Sequence, residues 1–178
     1  SEDGPFGNCI VGKLWAHDHF DDTLLGNLIY MVEMGRYDMA GLLRWLAKYA
    51  AGNPSFVERI ANETEEEGNS AMSFTKAFVL ETLRTDKSER LTRIAQRDLT
   101  FERYLIPRGT YVRLCLWESH HMAELFEKPF DFDPDRFLET PPGADRFAPF
   151  GMDHHRCPLG DASIELGIVF LKNLARNF

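Results

Sequence analysis

The residues best equipped for chemistry sit together near the end of the chain, in Phe147-Ala148-Pro149-Phe150-Gly151-Met152-Asp153-His154-His155-Arg156-Cys157-Pro158. This run puts a cysteine at the start of a helix, where the macrodipole and free backbone N–H groups stabilise a thiolate. Gly151 permits a tight turn and a close backbone approach to a flat ligand, and Phe150 can pack beside it. His155 and Arg156 add positive charge for any acidic group on that ligand. A lone Cys157 would read as an inert buried thiol. In this loop it reads as a metal ligand.

A thiolate held beneath a planar cofactor is what a heme iron with a cysteine axial ligand requires. At this point the sequence resembles the cytochrome P-450 family of heme-thiolate enzymes. The family's cysteine-loop signature matches from Phe150 through Pro158, with Asp153 where Gly is usual. Glu81-Thr82-Leu83-Arg84 resembles its ExxR motif, and Arg136 in Asp133-Pro134-Asp135-Arg136-Phe137 resembles the arginine that completes a structural triad. Glu81 and Arg84 are three apart and share a helix face, so a buried ion-paired network with Arg136 is geometrically reasonable. The resemblance makes heme b (iron protoporphyrin IX) the cofactor, with Cys157 its iron ligand, Phe150 and Gly151 against it, and Arg93 and His155 holding its propionates. Two departures stand out. Leu159 occupies the position two after the cysteine, usually Gly, and Gly160 follows it. In the long helix, Met34-Gly35-Arg36-Tyr37-Asp38 replaces the oxygen-activating acid–alcohol pair, with Tyr37 and Asp38 at those two positions.

The elements that must position these groups follow from pattern. Asp21-Asp22-Thr23 starts a helix, and Leu24, Leu25, Leu28, Ile29, Met31 and Val32 continue it at helical spacing to about Ala50, roughly 40 Å. Asn53-Pro54 opens a second helix running to Asn62, and a third spans about Ala71 to Thr85. Glu63 to Asn69 reads as a solvated acidic loop. Asp98 to Phe101 and Thr110 to Leu116 read as strands around the turn Ile106-Pro107-Arg108-Gly109, with Cys115 in the core. Short helices and loops fill Glu118 to Pro149, and an apolar helix runs from Gly160 to Asn177. The fold class is mainly α with a small β-sheet (α+β). In family terms, it is the C-terminal portion from the long distal helix to the helix after the cysteine loop.

Composition sets the outer bounds. The 178 residues are 44% hydrophobic with 14 Phe, enough for a packed core and too apolar for disorder. The 20 basic and 28 acidic residues leave −8, which argues against binding through nucleic-acid phosphates. Cys9, Cys115 and Cys157 are odd in number and widely spaced, pointing to a reducing, cytoplasmic setting. Charges at Glu33, Arg36, Asp38, Arg44 and Lys48 exclude a membrane span in the longest apolar stretch. His17-Asp18-His19 is similar to a metallo-hydrolase run, but Asp21 and Asp22 are better explained as helix caps than as zinc-site neighbours. The adjacent His120-His121 reads as a packing or propionate-region pair.

The resemblance implies an oxidoreductase of specialised-metabolite biosynthesis, a monooxygenase or oxidase acting on a small organic molecule. Gly35, Tyr37 and Asp38 would then line its catalytic pocket, with Asp38 a candidate proton donor. Two other readings stay open: an isomerase or peroxide-using enzyme on the same scaffold, and a non-catalytic heme-binding or structural subunit. Residues 1–178 form a single partial domain on this reading, lacking the N-terminal portion and the final sheet. A second chain in a hetero-oligomer, or a missing segment, is expected to cover the exposed apolar face, with an electron-transfer partner if the protein is a monooxygenase.

Overall fold

The computed structural model describes residues 21–64, 72–86, 90–139, 143 and 145–177. The chain divides between Ala40 and Gly41 into two compact units. The described part of the first is the leading stretch of α1 (Asp22–Gly52). Its start follows from Asp21, whose side chain accepts the Leu24 N–H at 2.8 Å and whose carbonyl accepts that of Leu25 at 3.0 Å. This is the capping role expected of Asp21; His17 to His19 lie outside the described residues. Ile29, Tyr30, Val32 and Tyr37 are all exposed, so this stretch carries apolar side chains facing outward.

The second unit is built around α3 (Phe74–Thr85), every residue of which except Lys76 is buried. Ser73 caps it by accepting the Lys76 N–H at 3.2 Å. A second capping group comes from Glu63, whose carboxylate takes the Thr75 N–H at 3.2 Å and the Thr75 hydroxyl at 2.6 Å. Glu63 is therefore a structural anchor and not part of a bland solvated loop. Around α3 lie α2 (Pro54–Ala61), α6 (Gly160–Asn177) and the last turns of α1, which bury Leu42, Leu46 and Ala50. The helices meet closely at Gly167, where an added Cβ would lie 3.1 Å from the Val79 methyls and 3.2 Å from Leu46. The high Phe content has a purpose here. Phe56, Phe78 and Phe132 contact one another, and Tyr49 stacks on Phe132 at 4.0 Å. Burial, then the hydrogen bond to Asp86, pushes the Tyr49 hydroxyl up to about 12.

Two small antiparallel sheets complete this unit. One pairs β1 (Arg90–Ile94) with β4 (Tyr111–Cys115), with Arg93 opposite Val112. The other is a hairpin of β2 (Leu99–Phe101) and β3 (Tyr104–Ile106). The two strands read from the sequence exist, but they do not pair with each other, since each has a partner that the pattern did not reveal. Cys115 is only half-buried, at the edge of the core and not within it. Short helices α4 (Leu116–His120) and α5 (Asp135–Glu139) follow, then a 3-10 turn at Asp153–His155 before α6. The third helix begins at Phe74 and not Ala71, because Ser73 caps it, and α1 continues two residues beyond Ala50.

Candidate functional site

A charge cluster inside the core supports the site. Glu81 and Arg84 have fully buried side chains and form two bonds of 2.8 Å, Nε to Oε2 and Nη2 to Oε1. Arg136 Nε reaches Glu81 Oε1 at 3.1 Å, and that oxygen also accepts the Asp133 N–H at 2.9 Å. Arg84 spends its remaining donors on the carbonyls of His120 (2.8 Å), Pro129 (2.7 Å) and Asp131 (3.2 Å). Arg136 does likewise with Glu127 at 2.8 Å and Asp131 at 3.3 Å. One carboxylate thus serves two guanidinium groups, and those groups tie the loops at 120–133 to α3. Buried charge is tolerable on these terms alone.

The cysteine loop leaves this frame at Ala148. Ala148 is buried and gives its N–H to His120 Nε2 at 3.2 Å, while its carbonyl accepts the Gly151 N–H at 3.0 Å. Gly151 has φ +79, and a Cβ there would stand 3.3 Å from the His155 carbonyl and 3.6 Å from Leu91. The positive φ favours glycine, and a Cβ would crowd the His155 carbonyl. Asp153 has φ +53, the left-handed region, which explains why Gly suits this position and why Asp, a residue that tolerates αL, can replace it. The loop closes where Phe150 accepts the Cys157 N–H on its carbonyl at 2.8 Å. Cys157 is exposed, so its sulfur is open to a ligand.

Leu159 in place of a small residue is compensated one position later. The Leu159 carbonyl accepts the Ser163 N–H at 2.8 Å and so opens α6. Gly160 is buried against Phe150, where a Cβ would come within 2.9 Å of the ring. Arg156, next to the cysteine, pairs with Asp161 at 2.5 Å, each charge holding the other ionised.

Among the sequence-predicted residues, Cys157, Phe150, Gly151 and His155 share one loop, and Leu91 brings β1 against it. Arg93 lies two residues on, on the same strand face as Leu91. It is half-buried and bonds the Thr92 carbonyl at 3.0 Å. His155 is exposed, its ring 4.2 Å from that of His154. Gly35, Tyr37 and Asp38 belong to the first unit. There Tyr37 and Asp38 are exposed, and Arg36 lies over the Tyr37 ring at 4.8 Å while pairing with Glu33 at 3.0 Å. A cavity of about 570 Å³ borders the loop, lined by Leu80, Phe147, Phe150, Met152, Arg156 and Ile164 among others. Cys157 is not one of its lining residues, although its neighbour Arg156 is.

His120 is the site residue that sequence reading undervalued. It is 1% exposed, and burial, then the charges of Arg84 and His121, pulls its pKa down to about 4. His121 is a packing residue, stacked on Trp117 at 4.1 Å. The donor set fits a heme. An accessible thiol stands in a loop held by its own backbone N–H bond and by Gly151, with the Arg156 guanidinium beside it.

Residues 55–172 match the family model for cytochrome P450. The chain is 34% identical to abscisic acid 8'-hydroxylase 1 of Arabidopsis thaliana, over 94% of this chain and 39% of that protein. It is 32% identical to an abscisic acid 8'-hydroxylase of Solanum lycopersicum, over 85% of this chain and 34% of that one. A solved structure, a 6-coordinated cytochrome P450 from Thermus thermophilus, superposes with a TM-score of 0.65 at 26% identity. That superposition covers 79% of this chain and 37% of the other. The chain therefore spans under two fifths of the length of these relatives.

Proposed function

The chain belongs to the cytochrome P450 family, and we propose from this premise that it is the heme-ligating part of a monooxygenase that hydroxylates a small organic molecule. The observation that carries the reading is the exposed Cys157 in a loop closed by its own N–H on the Phe150 carbonyl. A bound heme b would supply redox chemistry with dioxygen. The chain's own part is to hold and tune that group. Cys157 would ligate the iron as thiolate, at a sulfur whose backbone N–H is already engaged. Arg93 and His155 would pair with the propionates, and Phe150 and Gly151 would form the wall beside the ring. By the family resemblance Gly35, Tyr37 and Asp38 stand at the positions of the oxygen-activating residues, and Asp38 would be the proton donor.

The similarity to abscisic acid 8'-hydroxylases makes an oxygenated organic acid of that kind the substrate class to test first, within specialised metabolism. The relatives carry the matched segment inside one longer chain. We therefore assign the remaining fold to adjoining sequence of the same protein rather than to a second subunit. Among the described residues no helix is long and apolar enough to cross a membrane. Cys115 and Cys157 are free thiols among the described residues, in keeping with the reducing, cytoplasmic setting we propose, and the family membership implies a separate electron donor.

The test is turnover by the full-length heme-loaded protein with abscisic acid, an electron donor and dioxygen, against peroxide alone. Hydroxylated product that requires donor and dioxygen is the expected result. Product from peroxide alone would favour the second reading, for which Tyr37 and Asp38 at the acid–alcohol positions are the motive. Heme with no turnover of any substrate would favour a binding subunit.

A further inference from the structure

His120 lies outside the cysteine loop, yet it is bonded to both the core charge cluster and the loop's first turn. Its carbonyl accepts Arg84 Nη1 at 2.8 Å, and its ring Nε2 accepts the Ala148 N–H at 3.2 Å. The ring packs against Phe147 at 5.2 Å and, in a T-shaped arrangement, against Phe126 at 6.0 Å. Phe147 is in turn held by Phe137 at 5.0 Å. From Ala148 the backbone bonds run on, carbonyl to Gly151 N–H, then Phe150 carbonyl to Cys157 N–H. We infer that His120 is a positioning residue for the thiolate ligand, fixing the entrance of the cysteine loop through its ring acceptor while Arg84 fixes its backbone. The inference rests on the reading of Cys157 as the heme ligand.

The chemistry requires an unprotonated Nε2, because a protonated ring has no acceptor to offer Ala148. Burial and the neighbouring Arg84 and His121 keep the ring neutral down to about pH 4, so the acceptor persists across physiological pH. A buried N–H left without a partner is costly, so losing the acceptor moves the turn instead of leaving Ala148 in place. A displaced turn carries Phe150, and with it the carbonyl that anchors Cys157.

Two substitutions separate the acceptor from the ring's bulk. His120→Leu fills much of the space without an acceptor. His120→Gln places an amide oxygen where Nε2 stands. In the full-length heme-loaded protein, amide hydrogen exchange at Ala148 should quicken about tenfold in H120L and stay within about twofold of the parent in H120Q. The carbon-monoxide Soret band of the reduced protein should report the same order, with a several-fold larger thiolate-free fraction in H120L and a parent-like band in H120Q. Equal behaviour of the two variants, or faster exchange with an unchanged band, overturns the inference. If H120L fails to fold, H120Q decides alone, with parent-like exchange and band supporting the inference and their loss overturning it. A parent protein without any thiolate band refutes the ligand reading instead, and the exchange comparison still tests the acceptor.

Discussion

Replacing Glu81 by Gln should be among the most damaging single changes available in this chain, although it alters one atom and no volume. Glu81 and Arg84 have 0% side-chain exposure, and Arg136 has 12%. In E81Q both guanidinium groups keep their carbonyl partners on His120, Pro129, Asp131 and Glu127, but both lose the Glu81 anion. The amide also presents N–H groups toward one of the two donors it must serve. Removing one partner of a buried pair costs about 3–5 kcal/mol, and the retained carbonyls put this case near the lower end, about 3 kcal/mol. Against a typical total of about 5–15 kcal/mol, that is a large loss. The matched control is Glu33→Gln, which breaks the Arg36 pair where the side chains are 64% and 58% exposed. Such a pair is worth under about 1 kcal/mol. Urea unfolding followed by circular dichroism reads both, as a shift in midpoint at constant slope. An E81Q midpoint no lower than that of E33Q would refute the argument that this carboxylate holds the loops to α3.

The other predictions concern the loop and its frame. His120 binds its proton at about pH 4 when folded and at 6.5 when free, so the unfolded state takes up the proton first. Stability is full above pH 6.5 and falls by up to about 3 kcal/mol as pH drops to about 4, and H120Q should remove that part of the acid slope in pH-dependent unfolding. Gly160→Ala drives a Cβ to 2.9 Å from Phe150 and should cost about 1–3 kcal/mol, whereas Gly26→Ala has nothing within 4 Å and should gain about 0.5–1 kcal/mol. Thermal unfolding of the two variants should move in opposite directions. Asp153→Gly relieves a positive φ and should be neutral to stabilising, while Asp153→Val should destabilise by about 1–2 kcal/mol in the same measurement.

The parts legible in the sequence were those whose signals are local. The three-residue step from Glu81 to Arg84 announces one helix face, and Asp21 announces a cap. The cysteine run carries its glycines and cations within a dozen positions. What escaped depends on partners far along the chain. β1 is only five residues long, and its pairing with β4 spans an intervening hairpin. That hairpin turns through Glu102 at φ +52 and not through the Asn or Gly that normally marks such a turn. Glu63 looked like one acid in an acidic loop until Thr75 came to meet it. His120 gave no signal of its own, because nothing in its neighbours predicts a bond to Ala148.

Whether Cys157 is the thiolate ligand of a heme can be measured directly. The full-length protein, purified with heme, is reduced under carbon monoxide beside its Cys157→Ser variant. A thiolate-type Soret band is expected in the parent and absent from C157S. Heme bound without that band in the parent, or the same band surviving in C157S, would contradict that ligation.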